Sequence, residues 1–407
     1  MSEDADVIVV GAGLAGLRAA QVLEQNGRHV ILVDEGAAVG GRLASSSVDG
    51  FVLDQGFQLI NPAYPELVAT GVLSGFDLRR FAAVVRFSDG VSCHDVGDPR
   101  HDPRLLLTTL RHPSLSWRDA TRIARLLVEV RSRSVSHLTA GVDTSTRAAL
   151  CARGLSTAAI DDVLAPFLRG TLLDDTLDTS WHYSALVLKS FTRGRPGTHP
   201  HGITALPGAM AATLSRTRIR LSERALDVGA TGVRTTAGLL EARAVLVATD
   251  ATSAHRLVGA PDVAWRSQTT WWWSLPRVTH ADQLRIDTRR RFLSSALDLT
   301  SVAPERAPRG RSLVAACANG AFDEVHDAAV REDVARLYAL GTGDVELIER
   351  HVITHALPVI ATPLDLRRRQ RVDDVVVAGD YLQTPSIQGA LVSGRRAAEL
   401  VLGQRVQ

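Results

Sequence analysis

Four consecutive apolar residues, Val7–Val10, break off at a glycine, and the pattern then changes period. From Leu14 to about Gln25 the apolar positions recur at helical spacing. A second apolar run, Val30–Val33, ends on Asp34. Short apolar runs bounded by turn residues read as strands buried on both faces, and a helical stretch between two of them reads as a crossover. Strand, helix and strand are therefore predicted here.

Further along, Leu43–Asp49 is small and polar, and Gly50–Ile60 alternates around glycines, as a strand and turn passing close to something flat would. Residues 102–165 read as largely helical. Within them Arg118–Arg133 sets apolar residues at helical spacing between arginines, the pattern of a half-buried helix. Pro196–Gly208 reads as a loop. Strands are predicted at Ile219–Leu221, Ala225–Val228, Gly232–Thr236, Ala244–Ala248, Thr269–Leu275, Arg291–Asp298 and Ser312–Ala318. A helix follows at Asp323–Leu340, then a strand at Val372–Asp380 and a helix from about Ser386 to Leu402. Trp271, Trp272 and Trp273 alternate faces on their strand. One face is core, and the other is core or the wall of an apolar pocket.

The turn after the first strand carries the chemistry. Gly11, Gly13 and Gly16 stand at G-x-G-x-x-G spacing, with Ala12, Leu14 and Ala15 between them. Gly11 suits a tight turn, Gly13 lets backbone approach a pyrophosphate, and Gly16 lets the helix pack on the sheet. The helix N-terminus offers free N–H groups and a positive dipole end to phosphates. Asp34, or Glu35 if the register is off by one, can accept the ribose hydroxyls and disfavours a 2′-phosphate. The context is that of a dinucleotide site.

A second turn near the end refines this. Gly379 and Asp380 close an apolar strand, and Ile387, Gln388, Gly389 and Ala390 begin a helix whose N–H groups can meet an anion or a carbonyl. Two such turns, far apart in the chain, fit the two halves of one FAD.

Composition bounds the rest. With 407 residues, 45% of them hydrophobic and 22% charged, the chain has room for two globular domains. A net charge of +2 gives no reason to expect nucleic acid or an anionic membrane as partner. The arginine runs Arg289–Arg291 and Arg367–Arg369 read as solvated faces. Cys93, Cys151 and Cys317 are far apart and odd in number, so neither disulfides nor zinc is expected. His199 and His201 lack a third ligand, so no metal site is expected. The strand beginning at Val7 leaves no room for a signal peptide, and no apolar run reaches ~18 residues. A cytoplasmic location is the expectation.

These motifs together resemble the flavin-dependent amine oxidase, phytoene desaturase and protoporphyrinogen oxidase superfamily. The resemblance rests on GAGLAG with Asp34, Val39–Arg42, Leu53–Gln58, Leu206–Met210, Val245–Ala251, His355–Pro358 and Ala378–Gly394. It implies an α/β fold: a Rossmann-like FAD-binding domain of glutathione-reductase and amine-oxidase type, with an inserted α+β substrate domain. The FAD domain would comprise residues 1–75, 205–262 and 350–407. The substrate domain would comprise 76–204 and 263–349, part helical and part antiparallel sheet. The resemblance further implies that Gly41 and Arg42 meet the cofactor phosphate or ribose, and that Gly56, Phe57, Gln58 and Leu59 run along the isoalloxazine. Ala225 would hold the adenine by its backbone, and Asp380 the ribitol. Amine oxidases of this kind commonly carry a lysine near flavin N5. The matching place here is near His255 and Arg256, and the only lysine is Lys189. No cysteine lies near the C-terminal motif, so FAD is expected to be non-covalent.

The expected activity is oxidation or desaturation of a mostly apolar small molecule by hydride transfer to flavin N5, with O2 or a quinone-like acceptor. An amine or amino-acid oxidase releasing hydrogen peroxide is the alternative, and a binding module with structural FAD is the alternative from another class. The residues expected to do chemistry are Tyr381, which follows the ribitol aspartate, and His182. Tyr183, His199 and His201 stand behind them.

Overall fold

The computed structural model describes residues 5–100, 102–276, 282–289 and 292–403. The predicted opening is present. Strand β1, Ala5–Val10, leads into helix α1, Leu14–Gln25, and on to strand β2, Val30–Val33. Helix α1 starts at Gly13 with no side-chain cap and ends at Asn26, whose side chain donates to the Val22 carbonyl at 2.8 Å. It is buried on nearly every side, which explains why its amphipathic stripe is weak.

β1 lies at the centre of an eight-stranded sheet. It pairs in parallel with β2 on one side and with Gly238–Val247 on the other. Arg218–Arg220 adds a parallel edge beyond β2, and Val375–Val377 pairs in parallel with Gly238–Val247. The near half of Gly238–Val247 continues into an antiparallel meander with Gly232–Thr235 and Ala225–Val228. The last helix, Ile387–Gly403, packs on α1 so closely that a Cβ on Gly394 would stand 2.1 Å from the Ala15 carbonyl oxygen. This is the Rossmann-like α/β architecture.

A second sheet of seven strands runs in the order Glu346–Pro358, Trp265–Pro276, Arg311–Asn319, Ser295–Asp298, Leu284–Asp287, Val84–Ser88 and Cys93–Gly97. It is antiparallel except where Leu284–Asp287 runs parallel to Val84–Ser88. The three tryptophans are fully buried core. Trp271 and Trp273 pack under the Asp327–Leu337 helix, and Trp272 packs on Phe51 and Leu53 from the other face. Helices Trp117–Ser132, Thr146–Ala152, Ala165–Leu172 and Trp181–Arg193 form a separate cluster beside the sheet.

Three expectations are corrected. Glu346–Pro358 pairs along its length with Trp265–Pro276, so residues 350–358 belong to the second sheet rather than the FAD domain. Leu206–Met210 sits in the helix Ala205–Ala212, so the loop ends earlier than Gly208. The strand expected at Arg291–Asp298 is Ser295–Asp298; Arg290 and Arg291 lie outside the described residues.

Candidate functional site

One cavity of about 1230 Å³ runs from the β1–α1 turn, over the C-terminal ends of the parallel strands, into the space between the second sheet and the helical cluster. Ligands of open α/β sheets bind at this end of the strands.

At the nucleotide end two glycines answer steric demands of the fold and a third leaves the cavity open. Gly11 has φ +107°, and a Cβ there would lie 2.7 Å from the Ala248 carbonyl oxygen. A Cβ on Gly16 would lie 1.8 Å from the Gly11 oxygen, so that glycine brings the helix onto the strand. A Cβ on Gly13 would meet nothing within 4 Å, because Gly13 faces the cavity. The start of α1 has neither a side-chain cap nor an acid in its first turn. Its amide groups are left for an anion. Asp34 stands beside them, accepting from the Ala12 amide at 2.6 Å and the Gly36 amide at 2.8 Å. Glu35 turns outward towards Arg224, 3.7 Å away.

Arg42 spans the middle of the cavity. Its guanidinium pairs with Asp380 at 2.5 Å and donates to the Ala356 carbonyl at 3.1 Å. Burial alone would lower it, but Asp380, with Asp250 behind it, holds it above the ordinary arginine value. It also lies 5.7 Å from the centre of the Trp265 ring, on which His355 stacks at 5.0 Å. The Trp265 indole nitrogen is buried on this wall without a partner. Gly56, with φ +85°, brings the Gln55–Leu59 segment alongside the same wall. A Cβ there would meet Ile353 at 3.4 Å and the Gln268 side-chain oxygen at 3.8 Å. Uncapped amides, an acid for a ribose, a paired arginine and an orphaned indole donor beside a glycine strip fit a long dinucleotide such as FAD.

Among the sequence-predicted residues, Gly11, Gly13, Leu14, Ala15, Asp34, Glu35, Gly41, Arg42, Gly56–Leu59, Ala225, Gly379, Asp380, Ile387 and Ala390 line this cavity. Ala12, Gly16 and Gly389 stand behind the wall, where they set the backbone. The Gln388 amide oxygen points to helix Pro65–Ala69, accepting from the Glu66 amide at 3.0 Å. The second helix N-terminus is partly used up. Ser386 takes the Gly389 amide through its hydroxyl and the Ala390 amide through its carbonyl, each at 3.0 Å.

The two residues expected to do chemistry are elsewhere. After Gly379 the chain enters a short 3-10 turn, Asp380–Leu382, and this folds the Tyr381 ring back over Gly379. The ring joins the apolar cluster of Ile8, Val10, Val33 and Val247. His182 sits in the first turn of Trp181–Arg193 and faces Asp143, with its Nδ1 3.7 Å from that carboxylate. Its neighbour Tyr183 reaches the cavity instead and donates to the Pro385 carbonyl at 3.0 Å. Burial pushes Tyr183 up, and pushes Tyr64, on the same wall, up to about 12. His255 lies on the helix Ala251–Val258, with Nδ1 2.7 Å from the Ala260 carbonyl. Lys189 closes the end of Trp117–Ser132, donating to the carbonyls of Val130, Arg131 and Arg133. Sequence reasoning missed Trp265 and Gln268. Both precede the tryptophan run on its strand, and alternation from that run was the available signal.

Beyond this wall the cavity is apolar. Phe81, Phe87, Leu110, Ile123, Phe167 and Phe191 are among its linings. The only lining carboxylate in this half, among the described residues, is Asp98, paired with Arg100. None of the three cysteines lines the cavity.

Comparison with known proteins gives the same picture. The model of the flavin containing amine oxidoreductase family matches residues 14–402. Putrescine oxidase of Kocuria rosea is 50% identical over 64 residues, 16% of this chain and 13% of that protein. Hydroxyneurosporene desaturase of Rubrivivax gelatinosus is 48% identical over 50 residues, 12% of this chain and 10% of that one. The matched stretches thus span about an eighth of these curated relatives or less. The solved structure of an oxidoreductase from Methanosarcina mazei superposes with a TM-score of 0.75 at 18% identity, covering 97% of this chain and 99% of that one. At that identity the likeness is one of fold.

Proposed function

The chain belongs to the flavin containing amine oxidoreductase family, and we propose that it is an FAD-dependent oxidoreductase that holds FAD non-covalently and oxidises or desaturates a mostly apolar small molecule. The observation that carries this reading is the apolar chamber beyond Gln268, in which the one lining carboxylate among the described residues is already paired. An ammonium group taken from water into such walls would lack a counter-charge. A neutral apolar substrate meets no such penalty.

The residues to hold the cofactor are those of the cavity's polar half. The start of α1 and Gly13 receive the diphosphate, Asp34 the adenosine ribose, and Asp380 with Arg42 the ribitol region. Bound there, FAD would supply two-electron oxidation of a substrate C–H bond, with O2 or a quinone-like compound as the final acceptor. The chain's part is to orient and to exclude water. Phe81, Phe87 and Phe167 supply flat apolar contact, and Gln268 supplies one neutral hydrogen-bonding group where the two halves of the cavity meet. The raised Tyr64 and Tyr183 stay protonated near neutral pH, so neither is a base. All three cysteines are unpaired, two of them exposed, which supports a cytoplasmic location.

The test is anaerobic mixing of the yellow protein with apolar C–H donors and, separately, with a panel of amines, following loss of flavin absorbance. Bleaching by an apolar compound is expected. Bleaching by amines alone would replace this reading with amine oxidation and peroxide release in air. Resistance to both classes would make FAD structural and the protein a binding module.

A further inference from the structure

The cavity opens to the outside between two helices, Arg104–Leu110 and Trp117–Ser132, and we propose that this mouth is a docking surface for an anionic phospholipid bilayer. Leu106, Leu110, Leu127 and Val128 line the cavity and are also 51%, 45%, 36% and 66% exposed. Outside the cavity, Leu107 and Trp117 add exposures of 59% and 70%. Only Asp119, Leu126 and Val130 of Trp117–Ser132 are buried, so this helix lies on the surface with one edge inward. Scattered single apolar residues on a surface need no explanation, but a cluster ringing an opening does.

Charge identifies the occupant. Residues 98–133 hold eight arginines and four carboxylates, whereas the whole chain carries only +2. The rest of the molecule is therefore net negative, and the excess of cations is concentrated beside this patch. The four carboxylates offset only half of these arginines. Asp119 is buried as the partner of Ser116 and Ser156, and Asp98 pairs with Arg100. Glu129 lies 3.9 Å from both Arg133 and Arg153. Arg118 holds its guanidinium 5.5 Å from the centre of the exposed Trp117 ring. Apolar tips flanked by arginines are the make-up of a helix that lies in a lipid interface, with basic groups at the phosphates. The net charge of +2 averages over this uneven spread.

A bilayer also suits the opening in a way that a protein lid does not. A folded partner seated on these leucines would plug the cavity, whereas acyl chains leave an apolar molecule free to pass. That last step rests on the proposed apolar substrate; the docking itself does not.

The experiment is flotation of the holoprotein with vesicles of phosphatidylcholine and phosphatidylglycerol, and with phosphatidylcholine alone. Binding to the anionic vesicles is expected, with marked loss in high salt. The double variant L107S/W117S, altered outside the cavity, is expected to bind at least about ten-fold more weakly with its FAD content unchanged. Arg118→Glu with Arg125→Glu should abolish the preference for anionic lipid. The proposal is overturned if the parent fails to float, or if L107S/W117S floats like the parent. It is equally overturned if the patch proves to be covered by a second copy, seen as a dimer that L107S/W117S dissociates without any vesicle binding. Flotation requires no turnover, so its failure and the failure of the apolar-substrate reading are separate results.

Discussion

Replacing Arg306 by methionine strands a charge in the interior. Arg306 and Asp54 are both fully buried, with guanidinium nitrogens 2.9 and 3.0 Å from the two carboxylate oxygens. The same guanidinium donates to the Val52 carbonyl at 2.8 and 3.1 Å and to the Thr198 hydroxyl at 2.7 Å. Removing one partner of a buried pair costs about 3–5 kcal/mol, because the other charge stays desolvated. The Val52 carbonyl adds about 1 kcal/mol for its lost donor. A loss of about 4–6 kcal/mol is a large part of the 5–15 kcal/mol typical of a folded chain. Asp54 would keep its bonds from the Ser45 hydroxyl and the Ile203 amide, each 2.8 Å, so the hairpin Ser45–Asp54 should loosen rather than vanish. Gln55–Leu59 leaves that hairpin for the cavity, so flavin should be released at lower denaturant than in the parent. Urea unfolding followed by flavin fluorescence and by circular dichroism measures both. Asp54→Asn in the R306M background should recover part of the loss, with a coupling of about 2 kcal/mol or more. An R306M protein within about 1 kcal/mol of the parent, or a strictly additive cycle, would refute the reasoning.

Further outcomes are expected elsewhere. Gly13→Val adds atoms only into the cavity, so the protein should fold with normal stability and bind FAD at least about ten-fold more weakly; Gly16→Ala, which collides with the Gly11 carbonyl, should lose stability as well. Tyr381→Phe should leave turnover and FAD content unchanged, since its hydroxyl is buried in the core without a partner; a large fall in turnover would return Tyr381 to the chemistry. Burial acts to raise the Glu24 carboxyl, but the hydroxyls and amides of Thr217 and Ser215 prevail and lower it to about 2. A lowered carboxyl stabilises above its ordinary pKa of 4.5 and loses that stability as pH falls through the folded value, so about 3 kcal/mol should drain away between about pH 5 and 2. Glu24→Gln should flatten that acid limb in urea midpoints measured across the range.

What was legible in the sequence was local. The β1–α1–β2 unit can be read because turn, helix and strand signals fall within one short stretch, and the contact that demands Gly16 lies inside it. The misplacement of His182 is an error of helix phase. Adjacent residues on a helix point about 100° apart, so only Tyr183 meets the cavity. The misplacement of Tyr381 came from extending an apolar strand past Val377 into what is a tight turn. Residues 350–358 were given to the FAD domain because the partner of their strand, Trp265–Pro276, lies some eighty residues earlier and no local pattern records that pairing. The apolar chamber was illegible for the same reason. Its walls come from separate helices and strands, and no single stretch contains it.

The packing of Gly394 on the Ala15 carbonyl has a consequence for biosynthesis. The cofactor turn is made long before the helix that presses on it and before the strand Val375–Val377 on the far side of Gly238–Val247. A nascent chain can pair β1 with β2 and then with Gly238–Val247, but the face of α1 that meets Gly394 lacks its cover until Ile387–Gly403 is made. Asp380 and Ile387 of the same late stretch line the cavity, so the cofactor site is complete only after that stretch has been made.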